Sequence, residues 1–107
     1  MGHTYNKAVR DKIPDIMRSR GEDCKMIVLS DEKFLAEMEK KLFEEVREYD
    51  KDRSIDELAD ILEVVSRIAE LKGTSKERLE EIRRDKAAAK GAFQKNLFLV
   101  ETRAENT

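Results

Sequence analysis

Apolar residues recur at three- and four-residue spacing through most of the chain, the period of helices rather than strands. Leu35, Met38, Leu42 and Tyr49 fall on one helical stripe, and Ser30 followed by Asp31 and Glu32 makes a good helix start. This predicts a helix from Ser30 to about Asp50, then a loop at Lys51-Asp52-Arg53. Ser54-Ile55-Asp56-Glu57 has the capping-box pattern and opens a second long helix that ends at Lys72-Gly73. Thr74-Ser75-Lys76-Glu77 repeats that signature for a third helix, to about Lys90-Gly91. Pro14 suits the first turn of a short helix ending near Gly21. Two stretches leave the helical period. Cys24 to Leu29 reads as a short β-type run, and Phe93 to Val100 has extended character and is a candidate to pair with it. The chain therefore reads as mainly α, an antiparallel helical bundle with a short β-type segment near each end.

The second long helix carries two apolar stripes. One is Ile55, Leu58, Leu62, Val65 and Ala69; the other is Glu57, Ile61, Val64, Ile68 and Leu71. A helix apolar over so much of its circumference needs partners on more than one side. The expectation is that the first stripe meets the preceding helix. The second, with Ile68 at its centre, would then pack on another copy, in a homodimer or higher homo-oligomer.

Composition narrows the function classes. The chain of 107 residues fits one domain, 1–107. Glycine and proline together number 5 of 107, against about 12% in ordinary proteins, which argues against a sandwich or barrel. One cysteine, Cys24, excludes an internal disulfide, and no Cys/His cluster suits zinc. Cys24 reads as a core residue of its strand, and the single histidine, His3, as inert. No apolar run reaches the ~18–20 residues of a membrane span and no secretory signal is visible, so a cytoplasmic setting is the expectation. Net charge is −2, but Asp31 to Glu63 holds 13 acids against 6 bases. An acidic centre is the wrong footprint for a nucleic-acid polymer.

That acidic centre is patterned. Glu44-Glu45-Val46-Arg47-Glu48 is E-E-x-x-E, and Glu57-Leu58-Ala59-Asp60 is E-x-x-D. Spacing of three puts each pair on one helical face. A hairpin folded about residues 52–53 sets Glu48 opposite Glu57 and Glu45 opposite Asp60. Like charges 4 Å apart at an effective dielectric near 20 repel by about 4 kcal/mol, so such carboxylates must protonate, splay into water or hold a cation. Oxygen-only ligands suit Mg²⁺ or Mn²⁺. The bland account has Glu57 as a capping glutamate and Lys40–Glu44 and Lys41–Glu45 as surface pairs. It fails at Asp60, whose neighbours at three and four residues are Asp56, Glu57, Glu63 and Val64. Residues 50–56 start like a calcium loop, but its sixth position is Ile55 rather than glycine and its twelfth is Ile61. Di-iron bundles need E-x-x-H pairs, which are absent from this sequence.

The two carboxylate motifs on consecutive helices resemble the all-α nucleoside triphosphate pyrophosphohydrolases, the MazG and phosphoribosyl-ATP pyrophosphohydrolase superfamily. The opening Tyr5-Asn6-Lys7-Ala8-Val9-Arg10-Asp11-Lys12-Ile13-Pro14 is similar to that of a small stand-alone MazG-like group, with Ala8 where leucine is usual. Lys86-Ala87-Ala88-Ala89-Lys90-Gly91-Ala92-Phe93 resembles that group's basic stretch before Gly-Gly-Phe, Ala92 replacing the second glycine. The likeness spans about residues 5–100. It implies Mg²⁺-dependent cleavage of an α–β phosphoanhydride to a nucleoside monophosphate and pyrophosphate, as in house-cleaning of non-standard nucleotides. It assigns Glu45, Glu48, Glu57 and Asp60 to the metal. Glu44 would activate the attacking water or help hold a second ion. Lys7, Arg10, Lys12, Lys86 and Lys90 are candidates to bind the substrate phosphates. The alternatives are a phosphoribosyl-ATP pyrophosphohydrolase and a non-catalytic helical oligomerisation module.

Overall fold

A computed structural model describes Gly2 and residues 4–104; His3 lies outside the described residues. Four helices follow in order: α1 (Ile13–Ser19), α2 (Asp31–Asp52), α3 (Ile55–Leu71) and α4 (Lys76–Lys90). Serine hydroxyls start the three longer ones. Ser30 Oγ accepts from Lys33 N, Ser54 Oγ from Glu57 N at 3.2 Å, and Ser75 Oγ from Arg78 N at 3.1 Å. The third cap is thus Ser75, one residue later than the Thr74 pattern indicates. Pro14 sits in the first turn of α1, where its missing N–H costs nothing. Gly73, at φ 87°, ends the α3 segment in a backbone region that other residues avoid.

The α2–α3 link is two residues long, which permits only an antiparallel pair. Helix α2 runs to Asp52, two residues further than its sequence pattern indicates. Its cap, Arg53, takes the left-handed conformation at φ 56°. The guanidinium holds that turn through the Asp50 carbonyl at 3.1 Å and the Asp50 carboxylate at 2.8 Å. Helix α4 packs on α3, and α1 packs on none of the described helices.

Two expectations change in three dimensions. The stripe of α3 turned toward α2 is the second one: Val64 is 6% exposed, and Glu57, Ile61, Ile68 and Leu71 are half-buried. Of the other stripe Ile55, Leu58 and Leu62 are exposed, Leu62 at 67%, while Val65 and Ala69 are half-buried. Both stripes are apolar, so periodicity does not choose between them; the Arg53 turn and the Ser54 cap fix the rotation of α3. The second correction concerns the ends. Residues 24–29 and 97–100 carry no regular secondary structure, residues 93–95 form a bend and turn followed by Asn96 at φ 55°, and no strand occurs among the described residues. Cys24 is half-buried rather than a core residue.

The result is elongated. The radius of gyration is 19.5 Å, where about 13 Å suits a compact chain of this length. Only Met38 and Val64 are buried apolar residues among those described. No helix is long and apolar enough to cross a membrane.

Candidate metal centre

The hairpin brings three of the carboxylates together. Glu45 of α2 and Glu57 and Asp60 of α3 each offer an oxygen within 4.8 Å of the others. Glu45 is 9% exposed, the one buried charged residue among those described. Glu48 lies outside the group, half-exposed, with Lys51 Nζ 4.0 Å from its carboxylate. One helical turn separates Glu48 from Glu45, on the side nearer the link between the two helices.

Glu57 shows why the capping account is incomplete. In a full capping box its carboxylate would accept from the Ser54 backbone N–H. That N–H donates to Asp52 Oδ1 instead, at 3.1 Å. The Glu57 carboxylate is therefore released toward the cluster, where Oε2 is buried without a hydrogen-bond partner. Burial pushes the Glu57 carboxyl above the usual range, and so do the hydrogen bond it shares with Glu45 and the negative charges of Asp52, Glu45 and Asp60. An orphaned buried carboxylate oxygen among like charges is costly unless a cation or proton meets it.

Cationic side chains rim the cluster on the flank formed by Glu44 and Asp60. Lys41 Nζ stands 3.5 Å from both Glu44 and Glu45. Lys40 turns away to Glu37, so Glu44 is served by Lys41 instead. The chain before α1 crosses this flank. Lys7 Nζ lies 3.8 Å from Glu44, and Arg10 Nη2 donates to Asp60 Oδ1 at 2.7 Å. Arg10 is the partner that Asp60 lacks on its own helix. Fifty residues separate the two, beyond the reach of any local spacing argument. Lys12, Lys86 and Lys90 form no ion pair with these carboxylates among the described residues; Lys86 and Lys90 are exposed at the far end of α4.

The donor set fits a hard divalent cation. Ligand oxygens about 2.1 Å from Mg²⁺ stand up to about 4.2 Å apart across an octahedron, so small side-chain rotations bring these three into range. An ion held by Glu45, Glu57 and Asp60 would keep further coordination positions for other oxygen ligands. Comparison with protein-family models, with curated proteins and with solved structures yields no match.

Proposed function

We propose that this protein is a Mg²⁺-dependent nucleoside triphosphate pyrophosphohydrolase of the MazG-like kind. The observation that carries the reading is the convergence of Glu45, Glu57 and Asp60 across the hairpin, with one Glu57 oxygen buried and unpartnered. An acidic pocket accepts a polyphosphate only through cations. A divalent ion there supplies charge neutralisation and acidifies water at neutral pH. Glu45, Glu57 and Asp60 would hold it, with Glu48 joining by rotation away from Lys51. Glu44, beside the cluster and flanked by two lysines, receives the proton of the attacking water. Arg10 and Lys7 exchange their carboxylate partners for phosphate oxygens. Water attacks phosphorus, the α–β anhydride bond breaks, and pyrophosphate leaves with the bond electrons. Assembly into a homodimer or larger homo-oligomer belongs to the same reading, since a chain this extended leaves nearly half of the large apolar side chains among the described residues exposed.

The test is a panel of canonical and modified nucleoside triphosphates, with phosphoribosyl-ATP included, assayed for pyrophosphate release with Mg²⁺ or Mn²⁺. Release that disappears in Glu57→Gln and in chelator supports the proposal. No release from any member, together with no calorimetric metal binding, refutes it and favours a non-catalytic oligomerisation module.

A further inference from the structure

A nucleotide held at the carboxylates by its phosphates still needs a surface for its base, and an aromatic ring is the side chain that suits a base plane. The hairpin offers three rings. Phe43 stands two residues before Glu45, about 200° around α2, and so on the far side of that helix. Phe34 lies about three turns from Glu45, with the Arg67 guanidinium over its ring. Tyr49 is one turn from Glu45 but half-buried, beneath an Arg53 guanidinium that Asp50 holds in place. The first two are out of reach, and the third is already stacked.

The chain before α1 supplies a fourth ring. Tyr5 is 63% exposed, and Lys7 Nζ sits over its ring, 5.7 Å from the centroid. The same Nζ lies 3.8 Å from the Glu44 carboxylate. One ammonium group thus joins an exposed aromatic ring to the edge of the carboxylate cluster. Asn6, between the two residues, takes the left-handed conformation at φ 45°, which asparagine tolerates better than most side chains. Sparsely populated backbone of this kind collects at ligand sites. Arg10, on Asp60 at 2.7 Å, keeps the arm that carries Tyr5 and Lys7 along this flank.

We infer that Tyr5 is the base-stacking residue of the site. The inference rests on the hydrolytic reading and adds the nucleoside to it. Glu44 serves the water that attacks the α-phosphorus, so the lysine beside Glu44 falls to the α-phosphate. The base is one ribose beyond that phosphate, and Tyr5 is the ring beyond that lysine. As the ammonium moves from ring to phosphate, it uncovers a face on which the base stacks. Every base has a π face, so this platform takes purines and pyrimidines alike and sets nucleotides apart from bare polyphosphates. The substrate class is a nucleoside triphosphate recognised by its base plane.

The test uses the full chain with saturating Mg²⁺ and two probes. One is the α,β-methylene analogue of ATP, which cannot release pyrophosphate; the other is inorganic tripolyphosphate. Calorimetry should show the analogue bound more tightly. Tyr5→Ala should weaken it by about 5–150-fold, the range for loss of one base–aromatic stack, and leave tripolyphosphate unchanged. Tyr5→Phe keeps the ring and should bind as wild type. In Tyr49→Phe, where Tyr5 is the single tyrosine, the analogue should move the tyrosine ring proton signals upfield and tripolyphosphate should not. A wild type that binds neither probe refutes the hydrolytic reading and the stacking together. Equal affinity for the two probes, or a loss in Tyr5→Ala shared by both, overturns the stacking alone. So does analogue binding that Tyr5→Ala leaves unaltered, or an unmoved ring signal. Pyrophosphate release is measured separately and judges hydrolysis by itself.

Discussion

Arg10 places two requirements in opposition, and its removal should move them in opposite directions. Its guanidinium donates to Asp60 at 2.7 Å, and the two side chains are 59% and 39% exposed. A pair that exposed contributes only about 0.2–1 kcal/mol. A divalent cation at the cluster needs the same Asp60 carboxylate, so this small energy opposes metal binding. Arg10→Ala should therefore tighten Mg²⁺ or Mn²⁺ binding in the absence of nucleotide by about 1.5–5-fold. With nucleotide present the sign reverses. A charge-assisted hydrogen bond to phosphate is worth about 1.5–3 kcal/mol, so kcat/KM should fall by roughly 10–150-fold. Calorimetric titration reads the first arm and pyrophosphate release the second. The metal-binding difference should also shrink at high salt, because the Debye length falls to about 3 Å at 1 M. Metal binding that is unchanged or weaker in Arg10→Ala would refute the competition, and unchanged turnover would remove Arg10 from the phosphate site.

Three further outcomes are expected. Glu57→Gln should abolish divalent binding while leaving the helices intact, and it should also change the pH response. The folded-state carboxyl is shifted upward from 4.5, so the protonated form favours folding below that value and the contribution is lost as pH rises through the folded pKa. The metal-free wild type should thus lose stability over that interval relative to Glu57→Gln, and parallel melting curves at all pH values would contradict this. Saturating Mg²⁺ should raise the wild-type Tm by mass action on the folded state. Equal melting temperatures with and without it, read by differential scanning fluorimetry, would count against the cluster as a metal site. Met38→Ala should cost about 2–3 kcal/mol in urea unfolding, since Met38 is one of only two buried apolar side chains among those described. A cost under half that would mean the hairpin seam repacks freely.

Local rules sufficed for the helices. Ser30, Ser54, Pro14 and Gly73 act over one turn, so their meaning is complete within a few neighbouring residues, and the observed boundaries follow them closely. The pairing of Glu45 with Asp60 was also legible, because a short loop near residues 51–53 forces antiparallel helices, but the same register set Glu48 opposite Glu57, and Glu48 stands outside the cluster beside Lys51. What depended on tertiary structure was rotation and long-range partnership. Either apolar stripe of α3 could have met α2 on periodicity alone; the left-handed Arg53 turn chose Glu57 and Val64 and left Leu62 in water. Glu57 has the spacing of a capping residue, and only the Asp52 carboxylate on the Ser54 amide frees it. Arg10 meets Asp60 through the path of the N-terminal chain, which no spacing encodes. The β-type character of residues 24–29 and 93–100 is a local property of their side chains, whereas a strand is a relation between two segments. A single copy holds both segments apart, because hydrogen-bond ladders depend on where the rest of the fold sends the chain.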